Sequence, residues 1–323
     1  MSARTVLLAG ATGAVGAPMT RALVGAGYSV LALARSEGSA QAARAAGAVP
    51  VRADALDRDG LLKAVDGLAA DAVIHQLTAM KAPSRRLTED NPTNVLRSLG
   101  SANLLEAAGV LGARRFLTQS LVLGYGYHDH GERSVTEEDP FGVRRGSVSD
   151  HVITGLVEAE DRLFAADHVD GTALRYGLFY GPGTWFDPTP GSRPMPVPLN
   201  GGGVMSWIHV DDAVSGTLAA LEHGRAGEAY NLVDDRPARF GELAAAARRG
   251  RPGLRLPGWA LRAAVPYLGD LMLDTTLRVS NAKAARDLGW TPRYPDHRAG
   301  TAAPAGRTRS AACDESGPVS SGR

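Results

Sequence analysis

The sequence predicts an α/β protein that begins with a doubly wound parallel sheet and ends with a smaller lobe. Two observations lead to this fold class. Short apolar segments alternate with single helical segments over the first 180 residues, and apolar runs such as Val6–Ala9 suit strands that are buried on both faces. After residue 180 the alternation stops, and a segment rich in proline and glycine follows.

The predicted elements alternate between strand and helix. Because one helix joins each strand to the next, the strands should run parallel with right-handed crossovers. The predicted strands are Thr5–Ala9, Ser29–Ala34, Val49–Arg52, Ala72–Gln76, Arg115–Gln119 and Thr172–Tyr176. The predicted helices are one that ends at Val24, then Ser39–Ala46, Arg58–Val65, Thr93–Ala108, Val148–Ala166 and Asp211–Glu222.

This order of elements divides the chain into three parts. Residues 1–180 form the parallel-sheet domain, and residues 204–226 return to it. Residues 181–203 and 227–298 form the smaller C-terminal lobe. Residues 299–323 are rich in glycine, alanine, serine, proline and arginine without periodicity, which predicts a disordered tail.

The composition excludes several classes of protein. The chain has 323 residues, a net charge of +1 and 44% hydrophobic residues, as is usual for a globular protein. This charge balance argues against binding of nucleic acid or an anionic membrane, and no run of about 18 apolar residues predicts a transmembrane helix. The single cysteine excludes an intrachain disulfide and a four-cysteine zinc site. We expect no metal site and a cytoplasmic location.

A glycine-rich motif follows the first strand and opens the first helix. Gly10 permits a tight turn, Gly13 lets the backbone approach a pyrophosphate, and Gly16 allows close packing of helix and strand. The free N–H groups and the positive end of the helix dipole favour phosphate binding. We therefore predict a Rossmann domain that binds a dinucleotide. The predicted contacts in this turn are Gly10, Thr12, Gly13, Ala14, Val15 and Gly16.

The end of the second strand indicates which dinucleotide is preferred. An acidic residue at this place would accept bonds from the ribose hydroxyls of NAD, whereas Arg35 can pair with the 2′-phosphate of NADP. NADP(H) is therefore the preferred cofactor, with NAD(H) possible because Glu37 lies nearby. Asp54 can accept from the adenine amino group, although either Asp54 or Asp57 can instead cap a helix. Further cofactor contacts are predicted at Ala55, Gln76, Lys81 and Asn94.

Over roughly residues 4–295 the chain resembles the extended, here atypical, short-chain dehydrogenase/reductase superfamily, and within it the NAD-dependent epimerase/dehydratase family. The matching segments occur in the expected order: Gly10–Gly16, Asp54, Val73–His75, Asn94, Asn103–Ala108, Arg114–Phe116, Leu174–Gly177, Tyr180–Gly183, Trp207–Asp212, Tyr230–Asn231, Ala282–Lys283 and Leu288–Trp290. The resemblance implies a nicotinamide-binding Rossmann domain, a smaller lobe that binds a small-molecule substrate, and a homodimer.

The resemblance also implies a Tyr-x-x-x-Lys pair and a serine or threonine that together handle the proton during hydride transfer. This chain lacks the pair, since none of its eight tyrosines has a lysine four residues later. Alignment on Glu160–Leu163 places Val152 and Leu156 in the tyrosine and lysine positions. Ser120 fits the serine-rich segment, but the strictly aligned catalytic position can equally fall on Leu121, and Ser120 can instead satisfy backbone groups at the strand end.

Three polar residues are candidates for the missing proton carrier. Ser120 and Tyr125 follow the fifth strand, and His151 precedes the empty tyrosine position by one residue. Each has an alternative interpretation as an ordinary hydrogen-bonded residue. Candidate substrate contacts, some of which can equally be core residues, are Arg175, Tyr180, Trp185, Arg193 and Trp207.

These observations leave several functions open. The first is an oxidoreductase of the epimerase/dehydratase type that acts on a small metabolite with an unusual active site. A related possibility is an epimerase or dehydratase of a nucleotide sugar that uses its cofactor transiently. The alternatives are a catalytically silent NADP(H)-binding sensor and a non-redox isomerase or cyclase on the same fold, because fold does not fix function.

Overall fold

The computed structural model describes residues 4–79, 87–189, 191–192, 195–248 and 253–302. The strands are β1 (Thr5–Ala9), β2 (Ser29–Ala34), β3 (Val49–Arg52), β4 (Ala72–His75), β5 (Arg115–Leu121), β6 (Asp129–Val135), β7 (Asp170–Tyr176), β8 (Leu178–Tyr180), β9 (Val197–Pro198), β10 (Val204–Met205), β11 (Trp207–His209), β12 (Glu228–Leu232), β13 (Ala238–Arg239), β14 (Arg255–Leu256) and β15 (Thr276–Val279). The helices are α1 (Gly16–Gly25), α2 (Glu37–Ala45), α3 (Arg58–Val65), α4 (Pro92–Val95), α5 (Ser101–Leu111), α6 (Asp150–Phe164), α7 (Val210–His223), α8 (Phe240–Ala247), α9 (Gly258–Ala264), α10 (Pro266–Gly269), α11 (Ala282–Leu288) and α12 (His297–Ala302).

Seven parallel strands form the main sheet, in the order β12-β7-β5-β4-β1-β2-β3. The predicted doubly wound α/β fold is thus confirmed, and apolar cores lie on both faces of the sheet. From β1 the chain goes to β2 and β3 on one side, and then crosses to β4 on the other side. Such a reversal opens a crevice at the carboxyl ends of the strands, where ligands of this fold class bind.

The seventh strand differs from the predicted division of the chain. Residues 227–298 were expected to belong to the smaller lobe, but β12 pairs in parallel with β7 at the edge of the main sheet. Ala284, Leu288 and Trp290 also pack into the core on that side of the sheet. The reason is that α7 acts as one more crossover helix, which brings the following strand back to the sheet.

A second core lies beyond the main sheet, beside a small mixed sheet of four strands in the order β13-β10-β15-β6. Phe186, Trp207 and Phe240 meet at its centre with ring centroids 5.0 to 6.2 Å apart. Aromatic pairs in such edge-to-face and tilted arrangements stabilise a core beyond the area that they bury. This second core joins residues after position 180 to residues of the first part of the chain, such as Tyr127 and Leu156.

Two segments differ from their predicted secondary structure. The helix predicted over Thr93–Ala108 is divided into α4 and α5 by a π-helical segment, Leu96–Gly100. The predicted tail begins later than residue 299, because α12 extends to Ala302 with Thr301 buried and Gly300 packed against the ring of Tyr180. The remaining tail, residues 303–323, lies outside the described residues.

Within the described ranges, no helix is both long and apolar enough to cross a membrane.

Candidate active site

The glycine-rich turn after β1 has the geometry of a phosphate-binding loop. Gly10 has a φ of 96°, and a Cβ there would lie 2.6 Å from the backbone oxygen of Gln76. A Cβ at Gly16 would overlap the backbone oxygen of Gly10. At Gly13 the nearest atom to an added Cβ would be 3.5 Å away, so that this part of the turn is open. Two glycines are thus needed by the fold, and the third leaves space above the turn.

The N-terminus of α1 faces this open space. No side chain caps the helix at Val15, and Thr12, Gly13 and Ala14 are exposed. Uncapped N–H groups at a helix N-terminus suit the oxygens of a pyrophosphate. Gly183 approaches Ala14, with 3.5 Å between the Ala14 Cβ and a Cβ built on Gly183, so that the loop after β8 borders the same space. This cradle fits the phosphates of a dinucleotide.

Charged residues surround the expected position of the adenosine. The Arg35 side chain is 78% exposed, and its Nη1 lies 4.0 Å from Oδ2 of Asp54. Asp57 caps α3 by accepting from Gly60 N at 3.1 Å, while Asp54 accepts from Leu56 N at 3.0 Å.

The acidic residue next to Arg35 is paired elsewhere. Glu37 lies 3.0 Å from Arg44 and 3.6 Å from Arg52, and the hydrogen bond from Arg44 lowers the pKa of its carboxyl group. Its charge is therefore offset by two arginines that are not needed by a ligand. Ala55, another predicted cofactor contact, has its side chain buried in the core, and its carbonyl accepts from Asn103.

His75 and Gln76 end the strand next to β1. His75 Nδ1 accepts from Leu77 N at 3.2 Å, so that Nε2 carries the proton and donates to Leu96 O at 3.3 Å. Burial lowers the pKa of His75 to about 4, which keeps the ring neutral near pH 7. The Gln76 side-chain amide donates to the Tyr176 hydroxyl at 2.8 Å. The backbone of Gln76 shapes the glycine turn, whereas its side-chain amide is bonded inside the protein.

The positions expected to carry the proton-transfer residues are aliphatic and buried. Val152 and Leu156 lie one turn apart on α6 with exposures of 2% and 0%. Leu121, at the end of β5, is half-buried and packs against the same core. No side chain at these three positions can donate or accept a proton.

Tyr125 is not suited to replace the missing tyrosine. Its hydroxyl donates to Asn231 Oδ1 at 2.9 Å and accepts from Arg175 Nη1 at 3.0 Å. Burial raises the pKa of Tyr125 to about 12. The predicted catalytic role of Tyr125 is therefore corrected to a structural one. Ser120 is fully buried, and its hydroxyl has no hydrogen-bond partner in the described part of the chain.

His151 lies on a different face of α6 from Val152 and Leu156. Successive helical residues are turned by about 100°, so that His151 shares its face with Thr154, Gly155 and Glu158. That face borders a cavity of about 210 Å³ together with Asn94, whose amide donates to His151 O at 2.7 Å. The structure therefore separates His151 from the vacant tyrosine position, and Asn94 fixes the start of α6.

Three of the predicted substrate contacts are interior residues. Arg175 donates to Glu160 at 2.7 and 3.1 Å and lies over the ring of Phe141. The Tyr180 hydroxyl donates to Asp234 at 2.8 Å, and the Trp207 indole N–H donates to Ala238 O at 2.8 Å. These side chains lie at or near strand ends, but they face the interior of the protein.

Of the remaining predicted substrate and cofactor contacts, one lies in the described part of the chain and two lie outside it. Trp185 is half-buried and packs against the edge of the second core, and its contact with a substrate stays a prediction. Lys81 and Arg193 lie outside the described residues. Among the side chains that the structure describes, no cluster of three or more histidine, cysteine, aspartate or glutamate residues suits a metal ion.

One unusual residue was missed by the sequence prediction. Arg97 is only 2% exposed, and its pKa is lowered to about 10 by burial. The helical spacing contains a signal for it, because Arg97 shares a stripe with buried residues at intervals of three or four. That stripe continues through Gly100, Ser101, Leu104, Ala108 and Leu111.

Comparisons with known proteins agree with this architecture. The family model described as the NAD-dependent epimerase/dehydratase family matches residues 6–232. A 3-diazoavenalumate denitrifying reductase from a Streptomyces species is 36% identical over 310 residues, which cover 91% of this chain and 98% of the relative. A dTDP-glucose 4,6-dehydratase from Streptomyces griseus is 30% identical over 69% of this chain and 67% of its own length.

Solved structures show the same fold at lower identity. The UDP-glucuronic acid 4-epimerase from Bacillus cereus, solved with UDP-glucuronic acid and NAD, has a TM-score of 0.73 at 19% identity and covers 92% of this chain and 96% of its own. The UDP-glucose 4-epimerase from Thermotoga maritima, solved with UDP-glucose, has a TM-score of 0.72 at 20% identity over 92% and 97% of the two chains.

Proposed function

The chain belongs to the NAD-dependent epimerase/dehydratase family, and from this premise we propose that it is an NADPH-dependent reductase that removes a diazo group from an aromatic carboxylic acid. The observation that carries the proposal is the aliphatic character of Leu121, Val152 and Leu156. These residues occupy the three positions from which the family's chemistry is expected to move a proton.

The absence of a proton carrier at these three positions restricts the substrates that can react. Reduction of a carbonyl group places negative charge on oxygen, and that charge requires a proton donor or an oxyanion site. Oxidation of an alcohol, the first step for a nucleotide-sugar epimerase or dehydratase, requires a base. A positively charged diazonium group needs neither. The apolar side chains exclude water from the reacting carbon.

The reaction at carbon balances without a proton donor; where a hydroxyl group beside the diazonium has already lost its proton to give the neutral diazo form, the product is the phenolate, which takes its proton from water. A bound reduced nicotinamide supplies hydride, which forms the new C–H bond as N₂ departs with the electron pair of the C–N bond, so that R–N₂⁺ and H⁻ give R–H and N₂. We propose an aromatic substrate because alkyl diazonium ions lose N₂ spontaneously. The relative that acts on 3-diazoavenalumate supports two parts of this proposal, because that compound carries both a diazo group and a carboxylate. These parts are N₂ as the leaving group and an acid as the substrate.

An isotope experiment tests the proposed chemistry. The purified protein is incubated with 3-diazonium-4-hydroxycinnamate and NADPH deuterated at C4, with each C4 epimer used in turn. One epimer is expected to give 4-hydroxycinnamate with one deuterium on the ring, together with N₂. Unlabelled NADPH in D₂O is expected to give an unlabelled product.

A reaction without protein measures the direct reduction of the diazonium by NADPH and is subtracted. Ring deuterium that comes from D₂O would show that a proton donor takes part, against the proposal. Tight binding of NADPH without turnover of the diazonium compound would instead support a silent sensor.

The preference for NADPH rests on Arg35. We expect Arg35→Ala to reduce the ratio of NADH to NADPH dissociation constants by roughly 10-fold, since an arginine bonded to a phosphate contributes a charge-assisted pair. Fluorescence titration with both cofactors measures the ratio. The control is Arg162→Ala, which removes an exposed arginine on α6. Equal affinity of the unchanged protein for NADH and NADPH would contradict the prediction.

A further inference from the structure

We propose that Arg97, beside Tyr127 and Tyr267, is the subsite that binds the carboxylate of the substrate. This inference rests on the proposed function, because it assigns the acid group of the same substrate. Arg97 is buried without a carboxylate partner in the described part of the chain, next to two buried tyrosines and on a π-helical segment.

The guanidinium of Arg97 has unused hydrogen-bonding groups. Its Nε and Nη1 are buried, and they have no hydrogen-bond partner among the described residues. A buried positive charge without an anion is strongly unfavourable in a protein interior. The carboxylate of Asp270, which acts electrostatically on both tyrosines, forms no ion pair with Arg97 in the described part of the chain; it accepts from Ser149 Oγ at 2.7 Å and lies 3.8 Å from Arg262. The charge is therefore compensated only when an anion binds.

Two buried tyrosines that contact each other lie close enough to act on the charge of the guanidinium. Tyr127 and Tyr267 act electrostatically on Arg97, and their rings lie edge to face with centroids 6.0 Å apart. Both are nearly fully buried, so that their rings form apolar walls and their hydroxyl groups lie inside the protein. A guanidinium fork with a phenol hydroxyl beside it matches a planar carboxylate, which can accept two parallel N–H bonds and an O–H bond.

The local backbone explains why an arginine lies in the interior. Leu96–Gly100 is π-helical, a rare geometry that occurs mostly as short insertions at functional sites. His75 holds this segment through its bond to Leu96 O. A π-helical irregularity and a buried charge therefore occur together in this segment.

The position of Arg97 also suits the reaction. The π-helical segment packs against α6, and Tyr127 and Tyr267 belong to the same core as Val152 and Leu156. Arg97 also acts electrostatically on His75, which ends β4 at the carboxyl edge of the main sheet. An acid bound at Arg97 would therefore extend its aromatic part along the aliphatic positions, toward the cradle at Gly10–Gly16.

Binding of the reaction product tests this subsite without any turnover. Calorimetry compares 4-hydroxycinnamate with its methyl ester, with and without NADP⁺. We expect the unchanged protein to bind the acid at least ~10-fold more tightly than the ester, as a charge-assisted bidentate pair implies. Arg97→Met should abolish this preference, and Arg97→Lys should retain part of it. Arg162→Met, an exposed site on α6, is the control.

Thermal unfolding distinguishes a ligand-binding arginine from a structural one. Without ligand, Arg97→Met should unfold at a higher temperature than the unchanged protein, because an apolar side chain replaces an unpaired buried charge. The acid should raise the unfolding temperature of the unchanged protein and of Arg162→Met more than the ester does, and Arg97→Met should show no such difference. A lower unfolding temperature for Arg97→Met, or equal or absent binding of acid and ester by the unchanged protein, would overturn the subsite. Failure of the isotope experiment alone would overturn the reductase and leave the acid preference measurable.

Discussion

Replacement of Arg175 by methionine is expected to destabilise the folded protein by about 3–5 kcal/mol, the usual consequence of removing one partner from a buried ion pair. Arg175 lies in the interior beside Glu160, which is 3% exposed. Two nitrogens of the Arg175 guanidinium donate hydrogen bonds to the Glu160 carboxylate. The third nitrogen donates to Tyr125, which in turn donates to Asn231. The substitution leaves the Glu160 carboxylate buried without a partner.

Urea unfolding measures this effect, and two controls separate its causes. Arg175→Met combined with Glu160→Leu removes both charges and should recover most of the lost stability. Arg58→Met removes one partner of an exposed pair with Glu106 and should change stability far less than Arg175→Met does. A double variant as unstable as Arg175→Met would show that packing over Phe141, and not the unpaired charge, sets the loss.

The second large effect is expected at the glycine turn. Gly16→Ala should abolish measurable NADPH binding and should destabilise the protein by at least about 1–3 kcal/mol, since the added methyl group overlaps the Gly10 carbonyl and pushes α1 away. Gly13→Ala should fold normally, because its nearest neighbour is 3.5 Å away. It should still weaken NADPH binding, since the methyl group occupies the space above the turn.

Gly25→Ala is the matched control, at the other end of α1 with no atom within 4 Å of an added Cβ. It should bind NADPH normally and gain slightly in stability, as alanine favours a helix over glycine. Fluorescence titration with NADPH and urea unfolding are measured for all three variants. Normal NADPH binding by Gly13→Ala would contradict the assignment of the turn as a phosphate cradle.

The sequence predicts the main sheet well because its signals are local. A buried parallel strand is a short apolar run, and Thr5–Ala9, Ser29–Ala34 and Val49–Arg52 have the predicted bounds in the structure. The glycine turn is equally local, since it needs residue types at fixed spacing between a strand and a helix. Strand β12 was assigned to the smaller lobe because its pairing with β7 depends on a partner about 55 residues earlier.

The interior polar residues could not be predicted in the same way. Arg175, Tyr180 and Trp207 lie at or near strand ends, where a side chain can face either a ligand or the core. Their partners Glu160, Asp234 and Ala238 are 15 to 54 residues away, and no local rule connects them. The π-helical segment at Arg97 has no sequence signature of its own, although the helical stripe already marks the residue as buried.

In the proposed reductase, the aliphatic side chains at positions 121, 152 and 156 would also determine which molecules do not react. Ordinary aldehydes and ketones are compatible with apolar walls, so that shape alone would admit them. Transfer of hydride to an aldehyde or ketone would form an alkoxide in apolar surroundings that cannot neutralise it. The transition state for that transfer would therefore be too high in energy. The discrimination comes from the missing proton donor. It acts against all carbonyl compounds alike, so that no separate steric barrier is needed for each of them.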